Sequence, residues 1–390
     1  MSKTLQDYAT LINDTIQSNE INHYITTDNM CQNLGGIDTF KNINIPQGKV
    51  RSFQKDDILL SNIRLYFRKV YRAKQKGGCS SDVLVFRAKH IDSATLFAIL
   101  SSQIFTDYAC SGSQGSKMPR GNKTHMMDFK IPTINFTIAK IFNSIQNKIE
   151  NNHKINELLH KILELLYEQY FVRFDFLDEN NKPYQTNGGK MKFSKELNRL
   201  IPNDFEVKTL GELITWISGS QPPKSCHIYE HKEGYIRFIQ NRDYSSNDYI
   251  TYIPISKNNK ICYQYDIMID KYGEAGAVRF GLQGAYNVAL SKISVINQSM
   301  QEYIRSYLNS KPIKKYLSNA CMASTRSSLN ENHIYSLMLP IPPINLLQKY
   351  EKIAKNIITA IIKNNQATQT LTALRDFLLP LLLKQQVKPE

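Results

Sequence analysis

The sequence predicts an α/β (α+β) fold in which two similar domains are separated by a pair of long antiparallel coiled-coil helices, the whole a pseudo-twofold tandem repeat. Three observations carry this. Motifs recur in the same order at an offset near 210 residues; short β-branched and aromatic runs alternate with turn residues in each half; and a long stretch of heptad-like apolar spacing closes each half.

Internal repeats come first, because missing one miscalls a fold. Asp57-Ile-Leu-Leu-Ser61 reappears in character as Asp266-Ile-Met-Ile-Asp270, an offset of 209. Ala109-Cys110-Ser111, leading into Gly115-Ser-Lys-Met-Pro-Arg120, parallels Ala320-Cys321-Met322 leading into Ser324-Thr-Arg-Ser-Ser328. Phe129-Lys-Ile-Pro132 parallels Leu337-Met-Leu-Pro340 at 208, and Ile141, Ile145, Ile149 and Asn152 match Ile353, Ile357, Ile361 and Asn364 at 212. Loop insertions account for the drift.

Within each body, runs such as Asp82-Val-Leu-Val-Phe86 and Ala289 to Val295 read as strands, with Gly35-Gly36, Gly77-Gly78, Pro222-Pro223 and Gly273 to Gly276 as turns. Each body ends at a proline-marked exit, Ile131-Pro132 or Leu339 to Pro343, because proline disfavours helix in the residue before it. Apolar residues then recur at Ile138, Phe142, Ile145, Ile149, Leu159, Leu163, Leu166 and Tyr170, and in the second copy at Ile353, Ile357, Ile361, Leu371, Leu374, Leu378 and Leu381. Such a seam needs a partner helix, and a duplicated chain supplies one. Asn152 and Asn364 lie on it and, if buried, fix its register. The alternative is two amphipathic helices, each packed on its own body. The expected limits are 1–135 for the first domain, 136–176 for the first helix, 177–200 for a linker, 201–344 for the second domain and 345–390 for the second helix.

Lys plus Arg number 49 against 34 Asp plus Glu, a formal net charge of +15. The surplus points to polyanionic partners, nucleic acid before an anionic membrane. It is spread as +6, +2, +3 and +4 over 1–135, 136–200, 201–344 and 345–390, and so is not a basic tail. One block stands out. Arg64, Arg68, Lys69, Arg72, Lys74 and Lys76 are interleaved with Tyr66, Phe67 and Tyr71 and no acid intervenes. That pattern suits phosphate contacts with an apolar footing, or a solvated strand face.

The N-terminal residues lack a secretory pattern, and no apolar run approaches the ~20 residues of a membrane span. Six scattered cysteines without a CxxC pair suit a reducing compartment, so a cytoplasmic protein is expected. Cys226, His227 and His231 come nearest to a metal cluster but lack a second Cys pair or an HExxH helix; no metal is expected. Two basic domains held by helices of ~35 residues, ~50 Å at ~1.5 Å per residue, would span about one and a half turns of duplex at ~34–36 Å per turn. Unlike halves would then read an asymmetric, bipartite target.

Further stretches carry a family likeness: Leu165-Leu-Tyr-Glu-Gln-Tyr-Phe-Val-Arg-Phe-Asp-Phe176, Lys182-Pro-Tyr, Asn187-Gly-Gly-Lys-Met191, Ile201-Pro-Asn-Asp-Phe-Glu-Val-Lys-Thr-Leu-Gly211, Ser218-Gly-Ser-Gln-Pro-Pro-Lys224, Tyr235 to Asp243, and Leu371 to Pro380. In their number, order and spacing the chain resembles the specificity (S) subunit of type I restriction–modification systems over essentially its whole length. The Leu381-Leu-Leu-Lys-Gln-Gln tail departs from the Ser-Gly-containing end common there, which bears on C-terminal docking. The resemblance implies two target-recognition domains binding a bipartite double-stranded DNA site, two copies of an adenine methyltransferase (M) subunit, and restriction (R) subunits. S-adenosylmethionine would be bound by the partner methyltransferase, leaving no cofactor in this chain.

Catalytic motifs are not found in the sequence. An amino-methyltransferase needs Asn/Asp-Pro-Pro-Tyr/Phe, whereas the Pro-Pro pairs are Gln221-Pro-Pro-Lys224 and Ile341-Pro-Pro-Ile344. GxxxxGK[ST] is missing, Gly273, Gly276, Gly281 and Gly284 miss the dinucleotide fingerprint, and Ser111-Gly-Ser-Gln-Gly-Ser116 is not GxSxG. A non-catalytic subunit is expected. Arg and Lys can bond guanine, and Asn and Gln adenine. The candidate DNA contacts are therefore Arg64, Arg68, Lys69, Arg72, Lys117 and Arg120 in the first half, and Gln240, Asn241, Arg242, Lys271, Arg279, Thr325 and Arg326 in the second. Most are expected on phosphates, which take over half of protein–DNA hydrogen bonds. The rival reading is a coiled-coil adaptor that assembles proteins and binds no DNA.

Overall fold

The computed structural model describes residues 3–39, 41–131, 134–245, 249–322 and 328–382. They divide into two compact units, one running to Ile155 and resuming at Asn364, the other Asn156–Lys363.

In the first unit a one-turn helix, α1 (Leu5–Tyr8), precedes β1 (Ala9–Ile12), β2 (Thr15–Gln17), β3 (Tyr24–Ile25), β4 (Lys49–Phe53), β5 (Ile58–Ser61), β6 (Val70–Arg72), β7 (Gly77–Cys79) and β8 (Val83–Ala88). They form two four-stranded sheets, β1-β8-β5-β6 and β2-β4-β7-β3. The first is antiparallel throughout, while the second contains one parallel pair, β3 with β7. Helices α2 (Ser93–Leu100), α3 (Gln103–Ser111) and α4 (Lys123–Met127) follow. Each starts where a side-chain oxygen, of Asp92, Ser102 or Asn122, accepts from an otherwise orphaned first-turn N–H. Then α5 (Phe136–Tyr167) begins, closing in a π turn over Glu168–Val172.

After its share of α5 the second unit forms a hairpin, β9 (Met191–Ser194) and β10 (Arg199–Pro202), in the last part of the stretch expected as a linker. Next come β11 (Glu206–Thr209), β12 (Ile214–Ser218), β13 (Tyr235–Ile239), β14 (Thr251–Pro254), β15 (Ile261–Cys262), β16 (Ile267–Asp270), β17 (Val278–Arg279), β18 (Gly284–Tyr286) and β19 (Leu290–Val295). Helices α6 (Gln301–Asn309), α7 (Lys311–Met322) and α8 (Asn332–Tyr335), strand β20 (Met338–Ile341) and α9 (Ile344–Leu382) complete it.

Its main sheet, β12-β19-β16-β17, matches β1-β8-β5-β6 strand for strand. The likeness extends to side chains. Asp57 and Asp266 each close the same turn, accepting from the N–H three residues earlier (Gln54, 2.8 Å; Tyr263, 2.9 Å). Each also meets a cation from the neighbouring strand, Arg87 at 2.8 Å or Lys292 at 3.3 Å. The apolar runs after these aspartates are buried on both faces: Ile58 and Leu60 enter one core and Leu59 another, as Ile267 and Ile269 do against Met268. The smaller sheets keep a central strand, β7 or β18, between one parallel and one antiparallel neighbour. Their fourth strand differs, β2 joining the antiparallel neighbour β4 and β14 the parallel neighbour β13.

Each unit takes in part of both long helices. In the first, Asn152 Nδ2 donates to Thr368 Oγ1 at 3.1 Å and Arg375 Nη1 to Gln146 Oε1 at 3.2 Å, so numbers rise on α5 as they fall on α9 and the pair is antiparallel. Asn152 is buried, but its partner is Thr368; Asn364 is only half-buried. Arg375, at 2% exposure, also donates to Asn33 O at 3.2 Å and pairs with Asp376, while Gln146 Nε2 donates to Leu34 O. Asn33 and Leu34 are both left-handed (φ 52° and 60°), so this polar seam clamps a strained turn of the body. In the second unit the seam is aromatic, with Tyr170 and Phe171 5.7 and 4.8 Å from the Tyr350 ring.

Two outcomes are expected. Arg375→Ala strips the Asn33 carbonyl and the buried Gln146 amide oxygen of this donor and should cost roughly 2–4 kcal/mol in urea unfolding. Glu351, on α9, accepts from Glu302 N at 2.8 Å, and burial, with the Glu302 carboxylate adding to it, raises its pKa from 4.5 to about 7. A folded pKa above the unfolded one means stability present at low pH is drawn down as the pH rises from 4.5 through about 7. Glu351→Gln should therefore raise Tm more at pH 8 than at pH 5; an equal shift would exclude the titration.

Candidate nucleic-acid interface

The basic block falls in the connection from β5 to β6. Arg64 (φ 51°) and Arg68 (φ 48°), both left-handed, bracket a 3-10 turn over Leu65–Phe67. Such backbone costs about 1–3 kcal/mol for a non-glycine residue and persists only where surroundings enforce it. Here they do, because Leu65 is buried and the loop after α3 is pinned to the connection. Arg64 N donates to Pro119 O at 2.9 Å and Gly121 N to Asn62 O at 3.1 Å. A Cβ on Gly121 would stand 2.1 Å from Met126 Cε and 2.8 Å from Leu65 Cδ1, so glycine permits the approach. Gln114 and Arg120 exchange backbone hydrogen bonds at 2.9 Å, closing the loop and leaving Lys117 and Met118 exposed at its tip.

The six cations expected here divide into two sets. Three turn inward. Arg68 Nη2 donates to Ser101 O at 2.9 Å, Lys69 Nζ to Thr27 O at 2.6 Å, and burial lowers the pKa of both. Arg72 pairs with Asp56 at 2.8 Å and donates to Asn143 on α5 at 2.9 Å. The other three line the surface. Arg64 is half-buried, 5.9 Å over the Phe67 ring; Arg120 meets Asp82 at 3.1 Å while 62% exposed; Lys117 is exposed. Tyr66, edge-on to Phe67 at 4.7 Å, is exposed in the same connection.

The second unit repeats this plan in the connection from β16 to β17. Leu329 N donates to Lys271 O at 3.1 Å, the counterpart of Gly121 N to Asn62 O. Lys271 lies 6.0 Å over the Tyr272 ring, and burial lowers its pKa. Asn241 Nδ2 donates to Tyr272 O at 3.4 Å, and Gln240 caps a 3-10 turn by donating its N–H to Asp243 Oδ2 at 2.9 Å. Arg242 is exposed, 5.7 Å over Tyr249. Arg279 is held inward by Asp270 at 2.9 Å and by Glu274; burial pushes the Asp270 carboxyl up and Arg279 opposes it. Thr325 and Arg326 lie outside the described residues. Tyr249 and Tyr272 were not expected, although Lys271-Tyr272 repeats in miniature the basic–aromatic alternation of the first half.

Two further surfaces are apolar. On the second unit's share of α5, Leu158, Ile162 and Leu165 form an exposed stripe at helical spacing, and on the hairpin the cross-strand partners Phe193 and Leu200 are both exposed. Among the described residues no group of three or more His, Cys, Asp or Glu is disposed to hold a metal, and no helix is long and apolar enough to cross a membrane.

Residues 202–373, from the end of β10 to the last third of α9, match the family model described as the type I restriction modification DNA specificity domain. That stretch is similar to the specificity domain of type I restriction–modification systems. The chain is 24% identical over 307 residues to the type I restriction enzyme MjaIX specificity subunit of Methanocaldococcus jannaschii, covering 76% of this chain and 69% of that one. To the HindI specificity subunit of Haemophilus influenzae it is 22% identical over 309 residues, 64% of this chain and 66% of that. The crystal structure of the type I restriction–modification S subunit from M. genitalium has the same fold, with a TM-score of 0.63 at 16% identity, covering 99% of this chain and 96% of that.

The inward and outward cations should separate experimentally. Arg72→Ala should lower stability by roughly 1 kcal/mol, its ion pair being partly screened. Lys117→Ala should leave Tm unchanged and, where the tip meets phosphate, reduce the salt slope of DNA binding by about 1. Equal behaviour of the two variants would refute the division.

Proposed function

We propose that the chain is the non-catalytic DNA-reading subunit of a type I restriction–modification complex, each unit reading one half of an asymmetric bipartite duplex site. What carries the reading is the repeated connection pinned by equivalent hydrogen bonds, Gly121 to Asn62 and Leu329 to Lys271, but bearing different side chains in the two units. Equivalent scaffolds with unlike tips suit two unlike half-sites. Arg64, Lys117 and Arg120, and in the second unit Asn241, Arg242 and Lys271, are the proposed contacts, with Arg68, Lys69, Arg72, Gln240 and Arg279 shaping the loops. Thr325 and Arg326 keep the role expected from the sequence.

The apolar stripe of Leu158, Ile162 and Leu165 is proposed to take helices of an adenine methyltransferase subunit, of which two copies would bind; restriction subunits would join that complex. The methyl donor S-adenosylmethionine is then held by the methyltransferase, and the assembly works in the cytoplasm, where its DNA is.

Methylated adenines mapped in a host carrying the chain and its methyltransferase should define a two-part motif. The purified complex should bind that duplex with an affinity falling steeply with salt. An absence of duplex affinity, with the methyltransferase subunit present, would instead favour a protein-assembling adaptor that uses the same apolar surfaces.

A further inference from the structure

Resting on that reading, we infer that one tyrosine in each unit, Tyr66 in the first and Tyr272 in the second, makes the contact with the base stack that fixes its half-site, the surrounding cations serving to hold the phosphates.

Both tyrosines sit in the connection between equivalent strands, β5 to β6 and β16 to β17, at the point where the following loop is pinned. Both are exposed, Tyr66 at 53% and Tyr272 at 43%, in positions where a core aromatic would be covered. Neither is loosely presented. Tyr66 stands between two left-handed residues and edge-on to Phe67, and the Tyr272 carbonyl is held by Asn241. With the backbone held in this way, each tyrosine has only its side-chain torsions to lose when it docks.

The charge around the rings selects the occupant. Arg64 lies two residues before the first ring, and Lys117 and Arg120 are on the loop pinned to its connection. Lys271 stands 6.0 Å over the second ring, and Arg242 follows the Asn241 that donates to the Tyr272 carbonyl. The connection from Asn62 to Lys69 contains no acid. A duplex satisfies both parts of such a surface, phosphates on the cations and base faces or thymine methyls on the ring. The cations at the centre of the first block are committed inward: Arg68 on Ser101, Lys69 on Thr27 and Arg72 on Asp56. Tyr66 is left as the side chain reaching outward from the middle of the connection. An aromatic wedge reads sequence through the ease with which a step unstacks, so it specifies a base pair without needing a hydrogen bond to it.

The test uses the full chain with its methyltransferase subunit and duplexes carrying the mapped motif, 2-aminopurine replacing one adenine at a time. Wild type should raise fluorescence at one step in each half-site. Tyr66→Ala should abolish the signal in one half-site only, and Tyr272→Ala in the other. Each should lose at least ten-fold in affinity for the motif, little for unrelated duplex, and keep the wild-type salt slope. Tyr66→Phe should behave as wild type, and Tyr66→Leu, which keeps apolar bulk, should fail like alanine. No 2-aminopurine signal with wild type, wild-type preference in the alanine variants, or a loss equal on all sequences with a shallower salt slope would overturn the assignment. A wild-type complex without salt-dependent duplex affinity would sink the DNA-reading function itself, a separate result.

Discussion

A polar side chain buried between two helices must meet its partner, and that requirement orders the first unit. Asn152 finds Thr368, and Arg375 finds Gln146 together with the Asn33 carbonyl. Sliding one helix by a turn would leave several of these atoms buried and unpaired, at a cost of about 1–3 kcal/mol each. An all-leucine seam would tolerate such slips. Through these contacts the second long helix is locked onto the first body, where Leu379 enters the core.

The interface inherits its shape from the same economy. Strands β5 and β16 are buried on both faces, whereas the connections leaving them carry the exposed Tyr66 and Tyr272. In both units a backbone hydrogen bond ties the loop after the second of the paired helices back onto that connection, from Gly121 to Asn62 and from Leu329 to Lys271. Cations near this tie spend their charge on carbonyls and carboxylates of the fold; those at the tip remain exposed.

The repeat, the buried strands and the long helices were legible in the sequence because each writes a local period. Asp57 and Asp266 even marked a shared turn. The inward turn of Arg72 was not legible, because one of its partners, Asn143, is 71 residues away, and Lys69 meets Thr27 42 residues away. A stretch of Arg and Lys looks the same whether its charges face a carboxylate or solvent. The hairpin from Met191 to Pro202 hid in a stretch rich in Asn, Gly and Lys, and the opposite placement of β2 and β14 follows from pairings that no period records. Tyr249 escaped because it stands seven residues from Arg242, and Tyr272 because a single Lys-Tyr pair is too short a pattern to stand out.

The unequal makeup of the two units also bears on the order in which they are built. Asn156–Lys363 is one unbroken stretch, so the second unit has all its parts as soon as that stretch has left the ribosome. The first unit begins earlier in the chain yet lacks Arg375 and Leu379 until α9 is nearly finished. Its strained turn at Asn33 and Leu34 then waits for Arg375, 342 residues further along the chain, longer than domains that fold from the N-terminus as they emerge. What is made first is completed last.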